Sequence, residues 1–118
     1  MILAVLDDLM FTSKIKTAAS QLGVAVTFAR SADAARNAMA ATPPPSLVIF
    51  DLNNARVDPL GLVGEIKANP ALAAIPTVGF VSHVQTDLID AARAAGATEV
   101  MARSAFVAQL GELLKRAV

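Results

Sequence analysis

The run Leu47-Val48-Ile49-Phe50 constrains this chain more than any other stretch. It is unbroken, apolar, short and partly β-branched, which suits a strand buried on both faces of a parallel sheet. The run stops at Asp51, and Asn53 and Asn54 follow closely. An ionised carboxylate at the mouth of an apolar strand is costly to desolvate unless it is solvated, paired or bound to a cation. The carboxyl ends of parallel strands are also where open α/β sheets place their ligands. Asp51 is therefore a candidate reactive group.

Four further runs read as strands: Ile2 to Leu6, Val24 to Phe28, Thr77 to Val81 and Thr98 to Ala102. Helical stripes separate them. Phe11, Ile15, Ala18, Ala19 and Leu22 share one face, and Gly23 ends that helix. Ser31 caps an alanine-rich helix to about Ala41, which Thr42 and three prolines break. Asp58-Pro59 opens a helix to about Ala68 with Leu62, Val63 and Ile66 inward, weakened by Gly61 and Gly64. Asn69-Pro70 begins a loop to Pro76. A fourth helix runs from about Thr86 to Ala95 and ends at Gly96, with Leu88, Ile89 and Ala92 buried. Ser104 caps the last helix, whose stripe is Phe106, Leu110, Leu113 and Leu114. Strands and helices thus alternate five times. The pattern predicts one α/β domain over residues 1–118, a doubly wound (βα)5 flavodoxin-like sandwich with parallel sheet order 2-1-3-4-5.

Composition narrows the function classes. With 118 residues, 55% of them hydrophobic, the chain can bury an ample core. Ten basic and ten acidic side chains leave no net charge, so the footprint of a nucleic-acid binder and a polybasic membrane signal are both missing. Aromatic residues are 4% and all Phe, which offers no base-stacking platform. The apolar start Met1 to Leu6 is too short to span a bilayer, lacks a basic flank and runs into Asp7-Asp8, unlike a signal peptide. Without cysteine there are no disulfides or thiolate metal sites, and a cytoplasmic location is expected.

In the expected sheet, the strand ends bring Asp7, Asp8, Asp51, Ser82 and Arg103 to one edge. Three carboxylates within a few ångströms repel one another unless a cation sits among them. Carboxylate and carbonyl oxygens suit Mg²⁺, which takes further ligands from phosphates. A phosphoryl group on Asp51 would meet the metal, the Ser82 hydroxyl and the Arg103 guanidinium. Aspartate is a known covalent phosphoryl acceptor. The pieces read as an acyl-phosphate site.

These residues make the chain resemble, over its full length, the CheY-like receiver domains of two-component response regulators. The matches are the acidic pair Asp7-Asp8 after the first strand, Asp51 as phosphoacceptor after the third, Asn53 as the residue lending a metal-binding carbonyl, and Ser82 after the fourth. The resemblance implies a phosphoprotein in which Asp8, Asp51 and Asn53 bind Mg²⁺, Asp7 helps through water, and Ser82 meets the phosphoryl group. It implies a sensor histidine kinase or phosphotransfer protein as donor, and a downstream protein partner contacted through the fourth helix, fifth strand and fifth helix. Departures fall on the switch side. Arg103-Ser104 stands in place of Lys-Pro, and Val100 in place of a Tyr or Phe. His83 follows Ser82 where a small residue is usual, and the segment Asn54 to Pro59 lacks the usual Met-Pro and closing Gly. The fourth strand is also one residue longer after Pro76, so Val81 and Ser82 compete for the hydroxyl slot. Arg103 has a second reading, a salt bridge to Asp51.

Three functions compete. The first is a stand-alone receiver, not an enzyme, phosphorylated on Asp51 and signalling by protein–protein contact. The second is a pseudo-receiver with constitutive contacts. The third, an aspartyl phosphatase, wants a second Asp where Asn53 stands. A flavodoxin reading lacks a phosphate loop after the first strand.

Overall fold

A computed structural model describes residues 1–54, 56–82 and 85–117. Strands and helices alternate as β1 (Ile2–Val5), α1 (Leu9–Leu22), β2 (Val26–Ala29), α2 (Ala32–Met39), β3 (Leu47–Asp51), α3 (Pro59–Ala68), β4 (Thr77–Val81), α4 (Thr86–Ala95), β5 (Glu99–Ala102) and α5 (Arg103–Arg116). The strands form one parallel sheet in the order β2-β1-β3-β4-β5. That order follows from right-handed crossovers between parallel strands.

Alternation along the strands splits the core into two layers. Ile2, Ala4, Leu6, Leu47, Ile49, Val78 and Phe80 pack with α1 and α5 through Phe11, Ile15, Phe106, Leu110 and Leu114. Leu3, Val5, Val48, Phe50 and Val81 face the opposite way, against α2, α3 and α4 through Ala35, Leu62, Val63, Ile66 and Ala92. β1 and β3 are buried along their whole length, as their continuous apolar runs require. Asp51 shares the parity of Leu47 and Ile49, so its side chain leaves the sheet toward the layer of α1 and α5.

Some boundaries differ from the sequence reading, and two of them show how local capping decides an element's end. The strand expected to start at Val24 starts at Val26. Gly23 is in the left-handed conformation, φ 68°, and the Val24 N–H closes onto the Ala19 carbonyl at 2.9 Å. Val24 is thus the last member of a helix-terminating motif and packs back on the α1 layer. Ser104 is not the cap of the last helix. α5 begins at Arg103 directly after β5, with Ala102 at the capping position and no side-chain cap. The caps expected at Ser31 and Asp58 do form, each accepting an N–H at 3.1 Å.

Gly79, buried in the middle of β4, is crossed by the Leu52 side chain, and a Cβ there would meet Leu52 Cδ1 at 2.7 Å. Gly64, in α3, has nothing within 4 Å of the same position. Gly79→Ala should therefore destabilise the protein by about 1–3 kcal/mol through overpacking. Gly64→Ala should stabilise it by roughly 0.5–1 kcal/mol through helix propensity. Urea unfolding of both variants checks the pair, and shifts of the same sign would contradict this packing.

Candidate functional site

β3 delivers Asp51 to the carboxyl edge of the sheet, where the residue is only 6% exposed. Its Oδ1 accepts the Asn53 N–H at 3.0 Å, a local turn that holds the carboxylate against the start of its own loop. Burial pushes the Asp51 carboxyl above the ordinary carboxylate range. The Asn53 N–H and the positive charge of Arg103 pull the other way, and the charge of Asp8 adds to the rise.

Asp8 sits across the edge, beyond β1, whose Val5 is in register with Phe50. It is the N-cap of α1, with Oδ1 accepting the Phe11 N–H at 3.1 Å. The cap starts α1 at Leu9, two residues before the apolar stripe suggested. Asp7, expected to help a metal through water, pairs with Arg56 at 3.2 Å. Among the described residues, no three of His, Cys, Asp and Glu are gathered closely enough to hold a metal ion between them.

Arg103 enters as the first residue of α5. A guanidinium there opposes the helix dipole. Its Cζ lies 4.5 Å from the centroid of the Phe11 ring and 6.0 Å from that of Phe80. Phe80 in turn stacks between Phe11 and Phe106, with centroids 5.2 and 4.5 Å away. Cation–π attraction of about 0.5–2 kcal/mol offsets the unfavourable helix end. The Nε of Arg103 is buried with no hydrogen-bond partner among the described residues. Among those residues no ion pair joins it to Asp51, so its charge acts on the carboxylate from beyond contact.

β4 ends at Val81. Val81 is fully buried in the layer of α2, α3 and α4, whereas Ser82 lies exposed just past the strand. The Ser82 N–H donates to Asn53 Oδ1 at 2.7 Å, and Asn53 Nδ2 donates to Gln85 Oε1 at 2.8 Å. Sequence reasoning gave Asn53 only a carbonyl role and did not single out Gln85. Their sole signal was polarity at loop positions. Val100 packs half-buried against the layer that α4 covers. His83 lies outside the described residues.

Similarity to solved structures is extensive. The receiver domain of NtrX from Brucella abortus matches with a TM-score of 0.83 at 25% identity, over 99% of this chain and 97% of that one. The phosphorylated cyanobacterial phytochrome response regulator RcpA matches with a TM-score of 0.81 at 24% identity, over 98% of this chain and 88% of the other. The Mn²⁺-bound form of response regulator Rcp1 gives 0.80 at 20% identity, over 95% and 89%. No protein-family model matches the sequence, and no curated protein is similar to it. The chain has the fold of the CheY-like receiver domains of response regulators.

Titration of Asp51 has a defined consequence. Its pKa is raised on folding, so the folded state holds the proton more tightly than the unfolded chain. Stability from this group is present below the unfolded pKa and lost as pH rises through the folded pKa. In metal-free buffer, Asp51→Asn should therefore be more stable than wild type at neutral pH. The difference should shrink as pH falls through the range where Asp51 takes up its proton. Unfolding midpoints across pH check this, and a gap that widens toward acid would contradict it.

Proposed function

We propose that this chain is a receiver of two-component signalling, in which Asp51 accepts a phosphoryl group in a Mg²⁺-dependent reaction and passes the signal on by protein–protein contact. The observation that carries the reading is the buried, under-compensated Asp51 carboxylate at the carboxyl edge of a receiver fold. A phosphorylated and a Mn²⁺-bound response regulator among the structural neighbours support it.

The residues present suit a hard divalent cation. Mg²⁺ needs only one or two carboxylates because it retains water, and Asp8, Asp51 and the Asn53 carbonyl supply oxygen donors of that kind. Asp8 would do so while still capping α1. When bound, the ion would supply positive charge for the carboxylates and for the phosphoryl oxygens.

The chain's own groups perform the rest. The Asn53 N–H fixes Oδ1 of Asp51, which leaves Oδ2 as the attacking oxygen. An Oδ2–P bond forms as the bond from phosphorus to the donor's leaving group breaks, and the leaving group departs with the electron pair. Ser82 and Arg103 would take charge on the transferred group, Arg103 by leaving the Phe11 ring. Leu9 and Met10, 69% and 66% exposed at the start of α1, offer an apolar landing beside Asp8 for a protein donor, a sensor histidine kinase or a phosphotransfer protein. We place this receiver in the cytoplasm, where such kinases present their phosphohistidine, and read residues 1–118 as one receiver-like domain rather than an enzyme.

A second reading has specific support. The pairing of Asp7 with Arg56, and the seat of Arg103 on Phe11, describe a site at rest that a pseudo-receiver would keep permanently. Incubation with Mg²⁺ and acetyl phosphate, followed by intact mass, separates the two. The receiver gains one phosphoryl group, gains none when chelator removes the Mg²⁺, and gains none as Asp51→Ala. Unmodified wild-type protein under donor excess establishes the pseudo-receiver.

A further inference from the structure

The Asn53 side chain makes a connection that neither metal binding nor phosphoryl acceptance requires. Asn53 is exposed and sits two residues past the reactive carboxylate. Its backbone N–H holds Asp51 Oδ1, while its amide spans to the segment between β4 and α4. On one side of that segment it accepts from the Ser82 N–H at 2.7 Å, and on the other it donates to Gln85 Oε1 at 2.8 Å. One planar amide thereby ties both ends of the connection to the reactive loop.

Gln85 is the capping residue of α4, yet its side chain makes no capping hydrogen bond. The first N–H groups of a helix need acceptors, and a side-chain oxygen at this position normally supplies one. Here that oxygen is turned to Asn53 instead. Ser82, at the other end, directly follows β4, and its N–H is a donor of the kind that anions recruit. Asn53 Oδ1 now accepts from that donor.

We propose that Asn53 is a latch whose side chain competes with an anion at Asp51 for the Ser82 N–H, so that arrival of the anion releases Gln85 and re-caps α4. The inference rests on the phosphoacceptor reading of Asp51 and supplies the coupling that Val100, which has no ring to move, does not. Release of the latch is a redistribution of two existing hydrogen bonds. A phosphoryl oxygen takes the Ser82 N–H, the Asn53 amide loses one of its two anchors, and the Gln85 oxygen becomes free to accept from the first turn of α4. Asn53 acts here as a positioning residue. The differential contact that shifts the α4 terminus is the Ser82 N–H itself.

The test uses beryllofluoride with Mg²⁺ as a stable phosphoryl mimic, on wild type, Asn53→Ala and Gln85→Ala. Asn53→Ala keeps the backbone carbonyl and N–H but removes the competitor. It should bind the mimic about three- to tenfold more tightly than wild type, the equivalent of one net hydrogen bond. Amide hydrogen exchange over Thr86 to Ile89 supplies the second readout. Wild type should change protection there when the mimic binds. Both variants should already differ from wild type without it and respond less. If the mimic binds wild type and Asn53→Ala equally well, or wild-type α4 exchange does not respond to it, the latch is wrong while the phosphoacceptor reading stands. Binding by Asn53→Ala alone supports a latch strong enough to close the site. No binding by either protein overturns both.

Discussion

Everything at the carboxyl edge depends on one desolvated charge. β3 is apolar on both faces because helices cover both sides of the sheet, and the chain emerges from that environment directly into Asp51. A carboxylate whose residue is 6% exposed, and which is held by the backbone N–H of Asn53, is poorly compensated by the protein around it. Neighbouring charges divide between help and harm, Arg103 lowering its proton affinity and Asp8 raising it. A fold that only needed to be stable would place Asn or Ser here. Such an uncompensated charge is one that a bound cation would relieve.

The surroundings keep that charge available. Arg103 could have neutralised Asp51 in a direct ion pair, and instead its guanidinium lies on the Phe11 ring, with Nε unpartnered among the described residues. The aromatic group formed by Phe11, Phe80 and Phe106 belongs to the core between the sheet and the two helices α1 and α5, so its position is fixed by packing. The cation is therefore held nearby on a rigid apolar seat rather than committed to the carboxylate. On the acidic side, Asp7 is drawn off by Arg56, leaving Asp8 as the acid whose field reaches Asp51.

The architecture was legible because each strand is buried enough to be written as an apolar run, and each helix carries an inward stripe. Leu47 to Phe50 and Ile2 to Val5 needed no tertiary information to be read as central strands. Errors appeared where a cap decides the boundary. Val24 is apolar and β-branched, yet the left-handed Gly23 commits it to ending α1. Ser104 is a good capping residue, but β5 runs into α5 with no room for a cap there. At the site, Asp8, Asp51, Ser82 and Arg103 could be assigned to one edge because parallel strands put their ends together. The seat of Arg103 on Phe11 and the amide bridge from Asn53 to Ser82 and Gln85 were not legible. They join residues far apart in the chain, and nothing in local pattern or propensity encodes such a contact.

The central claim is that Asp51 holds a charge the protein alone does not compensate, and a direct titration addresses it. Carbon-13 labelling of the aspartate carboxyls would allow the Asp51 resonance, assigned by its loss in Asp51→Asn, to be followed against pH in chelator and in saturating Mg²⁺. The account predicts a proton affinity above that of an ordinary carboxyl in chelator, falling once Mg²⁺ is present. An ordinary or depressed value in chelator, unmoved by Mg²⁺, would contradict it.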